Sequence, residues 1–427
     1  MLAYAAWMRN NVKTSIFSIG LAVLFGWPFV VILGLPICVD LCFFKGNNTI
    51  KNIIDFLMWT VIFGLLIAVP MILIDSYMFG RFVFAPLNIV AYNVFPQNPN
   101  QGPDIYGKEP LSFYLKNGLL NFNILFPMAF ISYIFLGFNF LKLKNGINSK
   151  NEVDKRRINL YFSFTMAGMF LWVLVFFTRP HKEERFLYPI YPLILIGASF
   201  ALNFIQLNTK KMFSSVKLTF LWKILPTLFI FVHVLLSIMR GVALFKNYSA
   251  SIEIYTILNQ PSIKFSSPWL ENKEEINVCV SKEWYRFPSS FFIPEKLDMV
   301  SKRQYWKLAF LESDFKGQLP GYFNKSLSLP LSSRHIDKFF NDENKEVTQR
   351  YLDIKKCDFL IDTDSEIDDV NQSLFLNKVN TKTKWKTLAK LKFLDSENKS
   401  MLRSFYVPFL YEQHLKFTFF KLRVQIK

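Results

Sequence analysis

A short run of ionisable residues between two long apolar segments is the feature of this sequence best suited to chemistry. Charged groups at a membrane boundary are costly unless they are paired or hydrated, and they commonly line functional sites. Arg, Lys and His can neutralise a phosphate, and Arg does so through two hydrogen bonds at once. We therefore predict a site for an anionic, lipid-linked substrate in this run. Its predicted members are His181, Lys182, Glu183, Glu184 and Arg185.

The types of these five residues suggest two roles. The cationic groups suit a phosphate, and the two carboxylates suit the orientation of those cations or the acceptance of protons from sugar hydroxyls. The alternative is an ordinary interfacial turn whose long side chains reach out to water. Both interpretations place the run at the end of a membrane span.

The stretch 75–118 combines aromatic rings with amide and carboxylate groups, and this combination suits a sugar. Tyr106 is the ring that we predict to contact substrate, and Asp104 and Glu109 are weak candidates for a general base. The alternative is an interfacial amphipathic helix with an aromatic belt. A second mixed segment, 282–288, is interpreted either as a cap over a cavity or as an aromatic core strand with charged edges.

Metal chemistry is not predicted, because the four His residues are scattered and no Cys or His stands at ligand spacing. Phosphate-binding loops, dinucleotide fingerprints and nucleophile elbows are also missing from the sequence. The acidic run 362–369 is interpreted as a solvated loop.

The composition predicts an integral membrane protein with a polar C-terminal domain. Hydrophobic residues make up 52% of the 427 residues, and only 19% are charged, fewer than in a typical soluble domain. The net charge of +18 includes 20 basic and 9 acidic residues within 1–239, where the apolar residues concentrate. This excess indicates membrane topology, and we predict no nucleic-acid partner.

Apolar runs near the length of a membrane crossing divide the chain into two parts. We predict a multi-span α-helical region over 1–239 and a soluble α/β or α+β domain over 240–427. The Gly26-Trp27-Pro28 and Gly34-Leu35-Pro36 sequences predict a kinked or broken helix in the first span. The six predicted spans are 15–44, 53–74, 119–141, 158–178, 186–206 and 218–239.

Lys and Arg in the short loops orient these spans, because such loops face the cytosol. Loops 45–52, 142–157 and 207–217 are basic, so 75–118, 179–185 and everything after 240 are predicted on the lumenal side. A lumenal domain can carry a disulfide, for which Cys279 and Cys357 are candidates; the alternative is two buried free thiols. It can also carry N-glycans. The predicted acceptors are Asn247, Asn324, Asn371 and Asn398.

Several motifs resemble those of the endoplasmic-reticulum mannosyltransferases of glycosyltransferase family 22, which have the GT-C membrane fold. The resemblance begins at His181-Lys182-Glu183-Glu184-Arg185-Phe186 and extends over nearly the whole chain. The other motifs that carry it are Gly26-Trp27-Pro28 and the segments 85–88, 103–110, 117–123, 279–290 and 317–320. Within the family, these motifs are most similar to those of the α-1,2-mannosyltransferases that extend the N-glycan precursor.

The resemblance implies a reaction and its partners. Mannose would pass from dolichyl-phosphate mannose to the dolichol-linked oligosaccharide, with inversion and in α-1,2 linkage, without a metal or other cofactor. The protein would lie in the endoplasmic-reticulum membrane and serve N-glycosylation. The sequence indicates no oligomeric state.

One departure from the family pattern sets a limit on this expectation. The resemblance implies a catalytic base on an acidic loop after the first span, and we expect that loop to lie upstream of Met1. We therefore expect that these 427 residues alone do not transfer mannose. The alternatives are a non-catalytic isoform that binds lipid-linked oligosaccharide or scaffolds glycosylation enzymes, and a sibling mannosyltransferase of GPI-anchor assembly. A polyprenyl-lipid transporter ranks last, because the sequence contains no internal repeat.

Overall fold

The chain divides into two compact units, which we describe from a computed structural model. The helical unit comprises Met1–Leu235 and Phe323–Ile336, and the sheet unit comprises Leu236–Tyr322 and Asp337–Lys427. The structure describes residues 1–45, 48–143, 150–212, 221–260, 268–270, 273–286, 290–294, 296–298, 303–321, 327–364 and 384–426.

Nine α-helices lie entirely within the described part of the helical unit's first segment, and a tenth crosses the unit boundary. They are α1 Leu2–Met8, α2 Val12–Leu21, α3 Val31–Val39, α4 Thr49–Phe79, α5 Ala85–Val94, α6 Ser112–Phe122, α7 Leu125–Leu143, α8 Lys150–Thr178, α9 Tyr191–Met212 and α10 Leu221–Tyr248. Shorter helical turns join them at Ala22–Gly26, Pro28–Val30, Asp40–Phe44, Pro103–Tyr106 and Glu184–Ile190.

Four helices among the described residues are long and apolar enough to cross a membrane, and they match four of the six predicted spans. They are Thr49–Phe79, Arg157–Thr178, Glu184–Asn208 and Ile224–Tyr248. The predicted span 119–141 is instead a bent pair, in which Ser112–Phe122 and Leu125–Phe138 meet at 101°. The predicted span 15–44 is two shorter apolar helices, Val12–Gly26 and Pro28–Phe44.

Local sequence explains both departures from straight helices. Trp27 is extended, at φ −135° and ψ 120°, because a following proline disfavours the helical conformation. This confirms the predicted break at Gly26-Trp27-Pro28, whereas Pro36 remains inside α3. At the second bend, Asn123 has φ 52° and ends α6. Gly118 makes the bend compact, because a Cβ there would lie 2.4 Å from the ring of Phe126.

The core of the helical unit is built from close helix contacts and aromatic rings. Trp172, Met166 and Met169 on α8 are completely buried. Helices α7 and α9 approach closely, since a Cβ on Gly197 would lie 3.1 Å from the Cα of Ala129. Small residues allow this approach in membrane helices. The result is a rigid frame behind the turn that joins α8 to α9.

The described residues of the sheet unit form a six-stranded mixed sheet, in agreement with the predicted C-terminal α/β or α+β domain. The strands are β1 Glu275–Val280, β2 Lys296–Asp298, β3 Arg303–Phe310, β4 Phe359–Asp364, β5 Lys384–Leu394 and β6 Phe417–Ile426. Their order in the sheet is β2-β3-β1-β4-β6-β5. Strands β3, β1 and β4 are parallel, and the other three pairings are antiparallel. Helix α11 (Ala250–Thr256) contributes Ile254 and Tyr255 to the core on one face.

A segment from the C-terminal half of the chain belongs to the helical unit, although its sequence does not indicate this. A single-turn helix, Leu331–Arg334, lies at the end of α4. Ser333 Oγ donates a hydrogen bond to the main-chain oxygen of Met78 (2.6 Å), and Arg334 Nη2 donates one to that of Tyr77 (2.7 Å). These donors satisfy carbonyl groups that a helix end leaves without intrahelical partners. The predicted single domain over 240–427 is therefore interrupted.

Candidate active site

The charged turn (residues 179–186) and the facing loop (residues 103–110) form one site in the helical unit. The turn follows the end of α8 at Thr178 and leads through Glu184–Ile190 into α9. The main chains of turn and loop meet directly, because Glu109 N donates a hydrogen bond to the oxygen of Pro180 at 2.9 Å. Two regions that sequence analysis treated separately are thus adjacent.

Lys182 is buried between the two segments. Its side chain is only 6% exposed. Its Nζ donates hydrogen bonds to the main-chain oxygen of Glu109 at 2.8 Å and to that of Arg179. A buried ammonium group requires such acceptors, because a charge removed from water without partners is strongly destabilising.

His181 makes the second side-chain link to the facing loop. Nδ1 lies 2.8 Å from the main-chain oxygen of Gly107, and Nε2 lies 3.1 Å from Glu183 Oε1. Both contacts are to oxygen atoms, one of the facing loop and one of the turn, so the ring joins the two segments. Gly107 has φ 113°, a conformation in which an L side chain would be strained. The glycine therefore allows the loop to present its carbonyl group to His181.

Glu183 and Arg185 form the exposed edge of the site. Glu183 Oε2 accepts from Arg185 Nε at 2.5 Å, and Oε1 accepts from Nη2 at 2.8 Å. This two-point contact fixes the plane of the guanidinium group. The Arg185 side chain is still 68% exposed, so its remaining N–H groups face solvent and could reach an anion.

Glu184 contacts a different set of residues from its neighbour. Its Oε1 accepts a hydrogen bond from Asn121 Nδ2 at 2.6 Å and another from the Tyr191 hydroxyl at 3.5 Å. In the described contacts it does not pair with the cations of the turn, so these contacts do not support the first of the two roles predicted for it, the orientation of the cations; the second role, the acceptance of protons from sugar hydroxyls, stays a prediction. Asn121 and Tyr191 were not predicted as site residues, since they lie 63 and 7 positions from Glu184 and carry no charge.

Aromatic contacts anchor the turn and line the loop. The Phe186 ring stacks on Trp27 with centroids 5.1 Å apart, and the Phe186 oxygen accepts from Trp172 Nε1 at 2.9 Å. Tyr106 is 55% exposed, and its ring lies 6.5 Å from that of His181. Its hydroxyl is 3.5 Å from that of Tyr92. The predicted sugar-contacting ring therefore lies at the turn.

The two candidate bases lie on the facing loop but differ in their contacts. Asp104 is partly exposed and pairs with Lys108 Nζ at 3.6 Å. Glu109 is exposed, and its main chain, through both N–H and C=O, joins the loop to the turn. No group of three or more His, Cys, Asp or Glu side chains suited to a metal occurs among the residues that the structure describes.

In the sheet unit, the structure joins Cys279 and Cys357 in a disulfide with Cα atoms 5.8 Å apart. The disulfide ties β1 to the residue two positions before β4. The segment Lys282–Arg286 is a 3-10 turn after β1 and not a strand. Residues 287–289 lie outside the described part of the chain.

Two predicted glycan acceptors are buried, which contradicts their prediction as glycosylation sites in the folded chain. The Asn247 amide donates to the Arg403 oxygen at 2.9 Å and accepts from the Tyr411 hydroxyl. The Asn398 amide donates to the Lys416 oxygen at 2.7 Å. These side-chain nitrogens are committed to the protein interior and leave no room for a sugar. Asn324 and Asn371 lie outside the described residues.

A buried carboxyl group at the end of β4 was not expected from the sequence. Asp362 is 1% exposed, although it begins the acidic run that was interpreted as a solvated loop. Its Oδ1 accepts from Thr363 N at 2.9 Å, whereas no hydrogen-bond partner among the described residues reaches its Oδ2. Burial, with a smaller contribution from the charge of Glu283, raises the pKa of this carboxyl to about 7, against the opposing effect of Lys282.

Comparison with known proteins identifies a matching family and several relatives. Residues 1–294 match the family described as "Alg9-like mannosyltransferase family". The protein named "Alpha-1,2-mannosyltransferase ALG9" from Mus musculus is 38% identical over 424 residues, which cover 97% of this chain and 64% of the relative. The Homo sapiens protein of that name is 37% identical, with the same coverage. The chain thus spans less than two thirds of these relatives' length.

A fungal relative supports the same grouping. The Saccharomyces cerevisiae protein named "Alpha-1,2-mannosyltransferase ALG9" is 34% identical over 427 residues, covering 96% of this chain and 67% of the relative. No solved structure matches this chain.

Proposed function

This chain belongs to the Alg9-like mannosyltransferase family, and from that premise we propose that its site serves the transfer of mannose from dolichyl-phosphate mannose to the dolichol-linked oligosaccharide. The proposed product linkage is α-1,2, and the pathway served is N-glycosylation. The proposed location is the endoplasmic-reticulum membrane, with the sheet unit in the lumen. The proposal requires no metal or other cofactor.

The observation that carries the proposal is the meeting of the facing loop with the charged turn at the end of two membrane-length helices. An exposed guanidinium group on Arg185, an exposed ring on Tyr106 and the carboxylate of Asp104 lie on these two segments. A lipid-linked sugar phosphate offers an anion, an apolar sugar face and a hydroxyl rim, which match a cation, a ring and a carboxylate. A donor anchored in the bilayer reaches such a site at the membrane boundary.

The proposed reaction is a single displacement. The acceptor hydroxyl oxygen attacks C1 of mannose on the side opposite the phosphate, the bond between C1 and the phosphate oxygen breaks, and dolichyl phosphate leaves. A carboxylate takes the hydroxyl proton, and Arg185 stabilises the charge that develops on the phosphate. Asp104 and Glu109 are the candidate proton acceptors on the facing loop, unless the base lies in the part of the relatives that this chain does not span.

A chimera tests the proposal within a full-length relative. In yeast cells that lack their own relative, the matching region of that protein is replaced by this chain, and the lipid-linked oligosaccharides are measured by mass spectrometry. We expect the chimera to restore the missing mannose additions. The Arg185→Ala chimera is expected to restore them at least tenfold less well. Oligosaccharides that stay unextended in cells with a stably expressed, correctly located chimera would contradict the proposal.

The alternative functions have less support. All three relatives are named as transferases, which favours neither a non-catalytic oligosaccharide-binding isoform nor a scaffold. Their α-1,2 designation likewise does not favour a sibling enzyme of GPI-anchor assembly.

A further inference from the structure

Two of the three cationic side chains that the sequence assigns to a phosphate are buried away from solvent. Lys182 is 6% exposed and His181 is 9% exposed, whereas the Arg185 side chain is 68% exposed. A phosphate group can approach only N–H groups that are accessible. The three cations of the charged turn therefore do not have equal access to a substrate.

The hydrogen bonds of the two buried cations are directed to the protein. Lys182 Nζ donates to the main-chain oxygens of Glu109 and Arg179, and both ring nitrogens of His181 contact protein acceptors. Moving either group towards a phosphate would leave carbonyl oxygens without partners. A buried acceptor that loses its donor destabilises the folded structure.

Each of the two side chains has one acceptor on the facing loop, the main-chain oxygen of Gly107 for His181 and that of Glu109 for Lys182. The main chain adds a third link, from Glu109 N to the Pro180 oxygen. In the described part of the chain, these three hydrogen bonds attach the main chain of the loop to the turn. They also keep Tyr106, the exposed ring of the loop, against the His181 ring.

We propose that His181 and Lys182 are positioning residues that fasten the facing loop to the charged turn, while Arg185 is the residue of the turn that meets the phosphate. The two cations act through the loop and do not touch the substrate. This inference deepens the proposed function and takes the identity of the substrate from it. The attachment itself is a property of the folded chain and is testable without substrate.

Hydrogen–deuterium exchange of the purified full chain in detergent, without lipid substrate, tests the attachment. Lys182→Met removes the donor but keeps the length of the side chain. We expect at least tenfold faster exchange in peptides covering 103–110, because the Glu109 amide loses its protected position. The matched control is Lys108→Met on the same loop, since Lys108 forms an exposed ion pair with Asp104 at 3.6 Å, and such pairs contribute little to stability. Its exchange is expected to stay within twofold of the unmodified chain.

A second variant keeps the test decisive if Lys182→Met fails to fold. His181→Gln removes the ring, and its single amide group cannot span both acceptors, so we expect a smaller but measurable acceleration in the same peptides. Exchange in the peptides around Ala129 and Gly197 reports whether the helical core remains intact.

The competing assignment, in which Lys182 binds phosphate directly, predicts the opposite pattern. Lys182→Met would then leave the exchange of 103–110 within twofold of the unmodified chain and would weaken the binding of a short-chain polyprenyl phosphate. That result would overturn the proposal. Because the exchange measurement uses no substrate, its outcome is independent of whether the chain transfers mannose.

Discussion

The charged turn of the helical unit and the end of β4 in the sheet unit both bury ionisable groups, but they satisfy them differently. In the turn the buried groups are cations, and the ammonium of Lys182 meets two main-chain oxygens. At the end of β4 the buried group is the carboxyl of Asp362, and one of its oxygens has no hydrogen-bond partner in the part of the chain that the structure describes. By contrast, both carboxylate oxygens of the neighbouring Glu283 accept hydrogen bonds, one from the Thr363 hydroxyl and one from Arg286 Nε.

The difference follows from the availability of main-chain groups. Where two irregular segments meet, carbonyl oxygens are not committed to a helix or a sheet, so a long cationic side chain can collect several of them. A carboxyl on a strand is surrounded by N–H groups that already serve the ladder. Asp362 accepts one bond from Thr363 N and otherwise depends on burial and distant charges. The contacts of Lys182 therefore attach the facing loop to the charged turn. The buried carboxyl of Asp362 instead makes the stability of the sheet unit depend on pH.

The largest expected effect comes from Asp362→Asn, which keeps the shape of the side chain and imitates the protonated carboxyl. Since the pKa rises from 3.8 to about 7 on folding, the native state binds the proton more tightly than the unfolded state. The carboxyl therefore costs stability progressively as pH rises from about 4 to about 7, and fully above that. We expect Asp362→Asn to stabilise the sheet unit by up to about 4 kcal/mol at pH 8 and by little near pH 4.

Thermal unfolding of the purified chain at both pH values measures this effect. The control is Asp314→Asn, which removes a negative charge from an exposed position of the same unit; we expect the gain for Asp362→Asn at pH 8 to exceed that of the control. Equal gains at pH 4 and pH 8 would mean that Asp362 is not the titrating group.

A smaller effect is expected for Thr363→Val, which tests the hydrogen bonding of Glu283. The substitution removes the hydroxyl that donates to Glu283 Oε1 at 2.6 Å in a buried place. We expect the free energy of unfolding to fall by about 2 kcal/mol, because a buried charged acceptor loses a donor. The matched control is Thr387→Val, a half-buried position on β5. Denaturant unfolding measures both variants. An equal decrease in the free energy of unfolding for both would show that the hydrogen bond to Glu283 makes no special contribution.

The smallest effect on stability is expected for Glu183→Gln in the charged turn. Glu183 is one-third exposed and Arg185 more so, and ion pairs in such surroundings contribute at most about 1 kcal/mol. Mannose addition should decrease more than stability, because the variant loses the two hydrogen bonds that orient the Arg185 guanidinium group. In the yeast chimera we expect mannose addition to fall about tenfold with a melting temperature almost unchanged. A variant that extends the oligosaccharide as well as the unsubstituted chimera would show that the orientation of Arg185 is unimportant.

The parts of this structure that could be predicted from sequence are those with a local signal. Trp27 before Pro28 marks the broken helix, and apolar length marks the spans and separates them from the sheet unit. The charged turn was predicted as a site from its composition. The contact of Lys182 with the Glu109 oxygen could not be predicted, because every residue has a carbonyl group and none carries a signal in its side chain.

Other features depend on contacts distant in sequence. Asn121 approaches Glu184 only because α6 bends away at Asn123, and neither residue type suggests the other. Asp362 was assigned to a solvated loop by the acids around it, whereas pairing with β6 continues β4 through this position and buries it. In both cases tertiary structure decides what composition leaves open.

The single-turn helix Leu331–Arg334 has a consequence for dividing the molecule by genetic means. Its partners at Tyr77 and Met78 lie in the helical unit, yet it is encoded between β3 and β4. The disulfide between Cys279 and Cys357 encloses it in a covalent loop. A gene fragment that starts after residue 235 therefore encodes a piece of the helical unit between two strands of the sheet unit, β3 and β4. A shorter linker in place of residues 323–336 is the rational design for producing the sheet unit alone.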